Sequence, residues 1–274
     1  MAWHGESPHG GEMEAQQLNL FAARGVAPAT VVERAPVQAD ALSDAALIEA
    51  IPHAGLRDCG PLAEATVQRR LHAAVPALES LCRRFRGFGQ ERAVPEQVAA
   101  LRALAELGGA DAAAAVRRLI TGGAVQGPGL REGAHAAATL RCRLPEEVVL
   151  ALLRHGDPVV RADACRCVPH TRAVAELLIG LLEDLHASVA TAAACALGRM
   201  GRPEARPPLL RSLRQAPDAT MLEAVVPVAD EDATVLLGRI AREHPALRDA
   251  ALAALEDIDT PRAAALLQRL CAAV

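Results

Sequence analysis

"DPVVRADACRCV", residues 157–168, decides how this chain is to be read. Val160 is followed four and seven positions later by the small residues Ala164 and Cys167, a spacing that puts all three on one face of a helix. The same trio recurs as Leu130, Ala134 and Ala137, as Val189, Ala193 and Ala196, and as Leu247, Ala251 and Ala254. The starts are 30, 29 and 58 residues apart. Since 58 is twice 29, a degenerate copy is expected between the last two, and it falls around Met221 to Val228, where Pro227 and the missing Ala pair blur the pattern. Each copy is followed by a second apolar segment marked by a doublet: Val148-Val149, Leu177-Leu178, Leu209-Leu210, Leu236-Leu237 and Leu266-Leu267.

Turn residues punctuate the units. "HGDP" at 155–158 and "MGRPEARPP" at 200–208 combine Gly as a helix C-cap with Pro near the next helix start. The stretch from Pro95 to Ile120 fits one more helix pair. A two-helix unit of roughly 30 residues cannot bury its own apolar face, so it stacks on its neighbours, which is the logic of an α-solenoid. Composition agrees. The apolar half of the chain is mostly Ala, Leu and Val, with one Trp, no Tyr and three Phe, which suits close helix contacts and disfavours strands.

The family these residues resemble is that of HEAT-like repeats of the short kind first described in phycobilisome lyases. Asp157-Pro158, Val160-Arg161, Ala164 and Cys167-Val168 fall on its Asp-Pro, Val-Arg, Ala and Ala-Leu positions, and "SVATAAACALGRMG" matches its Ala, Ala-Leu and Gly positions with Ala190 in place of Arg. The resemblance covers about residues 95–274 and implies an all-α, right-handed α-solenoid of stacked helix pairs. The expected organisation is a largely disordered tail over 1–40, a helical N-terminal cap over 41–93, and a solenoid of about six helix pairs over 94–274. In the cap, Ser43 is the expected N-cap of a first helix with Leu42 and Leu47 as its hydrophobic staple, and Pro61 and Pro76 open two more.

Charge and cysteines bound the chemistry. No Lys occurs; all 29 basic residues are Arg, and the formal charge of −4 gives no general attraction to nucleic acid or to an anionic membrane. Seven Cys scattered through apolar pattern read as reduced thiols used as small hydrophobes. With neither a signal-peptide pattern nor an apolar run of membrane-spanning length, a cytoplasmic location is expected.

The candidate sites are few. Cys165, Cys167 and His170 form a Cys-x-Cys-x-x-His without the second ligand pair of a structural zinc site, and no metal or other cofactor is expected. "CRRFRGFG", residues 82–89, interleaves Arg83, Arg84 and Arg86 with two Phe, a composition suited to partner or nucleic-acid contact, but Glu79 and Glu91 dilute it and a helix C-terminus accounts for it as well. Arg131, Arg161 and Arg248 recur at one repeat position beside acids such as Asp157, Asp163 and Asp249. They either ladder structurally from repeat to repeat or line a concave face that binds an acidic partner.

Gly-x-Ser-x-Gly, Gly-rich phosphate loops and paired-carboxylate motifs are lacking, which points away from an enzyme. The related HEAT family of iron hydroxylases uses His-Glu pairs, and this chain has no His-Glu dipeptide. A chromophore-lyase-like enzyme remains an alternative by resemblance of fold alone.

One peptide in the tail stands apart. Gln17-Leu18-Asn19-Leu20-Phe21 resembles the short motif by which bacterial polymerases and repair factors dock on the sliding clamp. That resemblance implies Gln17 at the pocket rim, Leu18 packing, and Leu20 with Phe21 as apolar anchors. The expected function is therefore a non-catalytic scaffold or adaptor binding a protein partner on its repeat surface, with a clamp-tethered replication or repair factor as the alternative.

Overall fold

The computed structural model describes residues 38–272, and Gln17, Leu18, Leu20 and Phe21 lie outside them. Every regular element among the described residues is helical, with fifteen α-helices linked by short turns. Over the described residues the chain is an all-α solenoid.

The helices fall into two layers. The first layer is α2 (Cys59–Gln68), α4 (Pro95–Leu107), α6 (Leu130–Thr139), α8 (Pro158–Ala164), α10 (Ala187–Arg199), α12 (Ala219–Val225) and α14 (Arg248–Glu256), each packed on the next. The second is α3 (Val75–Arg84), α5 (Gly109–Thr121), α7 (Glu146–Leu153), α9 (Arg172–Leu181), α11 (Arg206–Gln215), α13 (Glu231–Glu243) and α15 (Pro261–Ala272). From α3 to α13, each of these seats against the first-layer helix that follows it. Between them the layers bury what no single pair could cover.

The periodic residues are the ones that meet. Ala134, Ala137, Ala164, Cys167, Ala193, Ala196, Ala251 and Ala254 are all buried. Small side chains there let consecutive first-layer helices approach closely. In the degenerate copy Met221, Val225 and Val228 take those places and are buried too, with α12 giving way to a 3-10 turn, Val226–Val228, around Pro227. The doublets lie in the second layer: Val149, Leu178, Leu209 and Leu237 are fully buried, whereas Leu266 and Leu267 in α15 are half-buried. Cys167 differs in one respect, since α8 ends at Ala164. It sits in the turn beyond, where its carbonyl accepts a bond from the Leu144 N–H at 3.0 Å.

At the other end, α1 (Asp44–Ala50) is capped by Ser43, whose side chain accepts from the Ala46 N–H, with Leu47 fully buried and Leu42 half-buried against the core. α2 begins at Cys59, two residues before Pro61, because the Gly55 carbonyl accepts from both the Asp58 and Cys59 N–H groups and starts the turn early. Although they lack the repeat trio, α2 and α3 occupy the first places of the same two layers. Gln97 ties this end together: its side-chain amide donates to the Cys82 carbonyl at 3.0 Å and the Ala124 carbonyl at 2.8 Å. Among the described residues no helix is long and apolar enough to cross a membrane.

Candidate functional site

The first-layer helices α6 and α10 end in the same way. After α10, Gly201 (φ +69°) turns left-handed, and the Arg202 N–H returns to the Leu197 carbonyl at 3.0 Å. After α6, Arg141 (φ +50°) makes that turn, with the Cys142 N–H returning to the Ala137 carbonyl at 2.8 Å. This is the Schellman closure, in which glycine is preferred because a Cβ crowds the left-handed backbone. Arg70 (φ +52°) closes α2 identically.

Arg141 opens onto a cleft of about 490 Å³ that crosses four consecutive pairs. Arg141 and Arg143 come from the loop after α6, Arg166 and His170 from the loop after α8, Arg199 from the last turn of α10, and Thr220 and Glu223 from α12. Gly198 allows this convergence. A Cβ there would lie 2.3 Å from the Ala224 carbonyl oxygen, so α10 and α12 could not close to their observed separation. A second hollow of about 540 Å³, bounded by Arg172, Met200 and Arg202, shares His170 with the first.

The cations of the cleft are held unequally. Arg166 pairs with Asp163 at 3.4 Å. Asp163 is itself buried; its other oxygen accepts no hydrogen bond among the described residues and lies 3.5 Å from His135 Nδ1 on the neighbouring α6. Among the described residues, the guanidiniums of Arg141, Arg143 and Arg199 have no hydrogen-bonded or ion-paired partner. Position at helix C-termini favours positive charge there. What the cleft offers chemically is a set of open guanidinium donors, each able to take a carboxylate in a two-pronged bond.

The arginines singled out from the sequence fare differently. Arg161 grips the Asp184 carboxylate through Nε at 2.9 Å and Nη2 at 3.0 Å, and its Nη1 donates to the His155 and Gly156 carbonyls. Both side chains are largely buried, and the Arg161 bond holds the Asp184 carboxyl below its usual pKa range. Arg248 donates to the Leu270 carbonyl at 3.1 Å, while Arg131 is exposed. These three do not form one row of open cations, because Arg161 and Arg248 are turned inward to satisfy backbone and loop groups.

In "CRRFRGFG", Arg83 and Arg118 share the Glu79 carboxylate, which their bonds hold below its usual range, that of Arg118 contributing most. Arg84 lies over the Phe85 ring at 4.6 Å and donates to the Pro52 and Ala54 carbonyls. Arg86 and Phe88 remain exposed, with Phe88 edge-on to Phe85 at 6.3 Å. Cys165 and Cys167 are core residues, with burial pushing each thiol up to about 12, whereas His170 is at the surface. Among the described residues no three His, Cys, Asp or Glu side chains gather as a metal site.

Sequence reasoning passed over Arg141, Arg143, Arg166 and Arg199. Their signal was present: "LRCRLP" stands where another repeat has "MGRPEA", so an arginine occupies a glycine place. No curated protein matches the chain. Residues 146–229, from the start of α7 to just past α12, match the family model of HEAT repeats, and they lie within the two-layered all-α solenoid.

Proposed function

We propose that the chain is a non-catalytic HEAT-like scaffold that binds a protein partner on its repeat surface, at the arginine cleft. HEAT repeats are commonly protein-interaction scaffolds. The observation that carries the reading is that Arg141, Arg143 and Arg199 converge from two helix ends on one cleft without internal partners, one of them on a costly backbone. Extended, preformed surfaces of this kind bind proteins rather than small substrates. The test is affinity capture by the full chain from an extract of its own cells, followed by cross-linking. Cross-links from a stoichiometric protein to the loops after α6, α8 and α10 are expected. A chain that captures no protein sinks the reading.

A second reading draws on Gln17-Leu18-Asn19-Leu20-Phe21. In it the tail tethers the scaffold to a sliding clamp, with Leu20 and Phe21 as anchors. A labelled Glu14–Gly25 peptide should then bind the clamp at roughly micromolar affinity. The Leu20→Ala/Phe21→Ala peptide should not, and absence of binding by both removes this reading.

A further inference from the structure

We propose that the arginine cleft takes an acidic segment of the partner protein in polyproline II conformation, with a carboxylate at every third position. The proposal deepens the scaffold reading above by specifying its ligand.

The argument begins with spacing. The cations come from the ends of α6, α8 and α10, which are successive neighbours in one layer. Packed helices lie about 8–10 Å apart. A polyproline II chain rises about 3.1 Å per residue with three residues per turn, so side chains i, i+3 and i+6 share one face at about 9 Å intervals. An extended strand fits less well, because its side chains i and i+3 point to opposite faces. A seven-residue segment with Asp or Glu at i, i+3 and i+6 therefore presents one carboxylate to each helix end. Arg141 and Arg143 meet the first, Arg166, steered by Asp163, the second, and Arg199 the third.

Charge points to a carboxylate peptide rather than to nucleic acid. Each phosphate of a duplex strand rises about 3.4 Å along the helix axis, so a nucleic acid presents an unbroken run of charge rather than one anion to each helix end, and Glu223 on the wall repels such a continuous polyanion. Between spaced acids, Glu223 is instead positioned to accept a backbone N–H or to face a basic side chain.

The test is fluorescence anisotropy with the full chain and three labelled probes: a 12-residue peptide repeating Glu-Pro-Ala, a peptide of the same composition with its Glu residues consecutive, and a 12-nucleotide single strand. Saturable binding of the spaced peptide is expected, weakening as salt rises. The consecutive peptide should bind several-fold less well. The Arg141→Gly/Arg143→Gln/Arg199→Gln variant should lose roughly tenfold or more in affinity. Arg239→Gln/Arg262→Gln, which touches only the distant pairs with Glu243 and Glu231, should lose nothing. Misfolding is separable from lost contact, because glycine suits the left-handed turn at 141 and the melting temperature of Arg141→Gly alone should not fall.

Failure of the spaced peptide to bind overturns the proposal, as does equal binding by the triple variant, equal binding of the consecutive peptide, or preference for the oligonucleotide. If the triple variant still captures the partner that the wild type captures, the cleft is wrong and the scaffold reading stands. If the wild type captures nothing, the scaffold reading itself has failed.

Discussion

Arg141 and Gly201 close equivalent helices with opposite residue types. A non-glycine side chain in the left-handed region costs about 1 kcal/mol. Arg141→Gly should therefore stabilise the chain by about 1 kcal/mol, raising its melting temperature by roughly 2–4 °C at this size. Thermal unfolding followed by circular dichroism checks this, and a lower midpoint would show that the arginine is engaged in the fold. The sequence makes the small-residue trio plain, because Ala134, Ala137 and their equivalents repeat in type as well as in place. The turn at 141 was hidden for the converse reason. A left-handed position is recognised through its glycine, and Arg141 and Arg70 adopt the same backbone without that mark.

At the level of helices and their connections, a largely buried tie joins α8 to the loop before α10, where Arg161 binds Asp184. The acids adjacent in sequence do other work: Asp157 caps α8 by accepting from the Val159 N–H, and Asp163 steers Arg166. Local spacing suggested those neighbours, yet a solenoid sets each loop against the next one, so the true partner lies 23 residues onward. Asp184→Asn should cost about 2 kcal/mol at neutral pH, the value of hydrogen bonds to a charged group. The sign follows from the depressed carboxyl: its stabilisation is complete above the unfolded value of about 3.9 and disappears as pH falls through the lower folded value. Urea unfolding at pH 7 and at progressively lower pH should show the gap between variant and wild type shrinking. A gap that stays constant into strong acid would mean the pair contributes no charge-dependent stability.

For the molecule as a whole, the stack was legible from periodicity, but α2 and α3 were not recognisable as part of its layers. Stacking demands only a buried face, and here Leu62, Leu78, Leu81 and Cys82 supply it without the Ala spacing. The core running through both layers also holds thiols that resist ionisation. Burial pushes Cys82, Cys165 and Cys167 up to about 12 and Cys195 up to about 11. In the unfolded chain a thiol ionises near pH ~8.5, so alkali favours unfolding, with each such thiol contributing up to about 1.4 kcal/mol per pH unit above that point. With neither Lys nor Tyr in the chain, Cys is the side chain that changes charge in that window. Melting temperature should fall steadily from pH 8.5 to 10.5, and Cys167→Ala, which installs the residue other repeats use there, should flatten the fall. A midpoint indifferent to alkali would contradict this account.

The same thiols have a use beyond packing. Six of the seven are buried, distributed from Cys59 in α2 to Cys195 in α10, while Cys271 is exposed. In a stack held by nearest neighbours, opening is local, and each unit breathes with its own free energy. Alkylation of the native chain would label Cys271 at once and the others in the order their surroundings open, so the molecule carries its own set of clocks, spaced along its length.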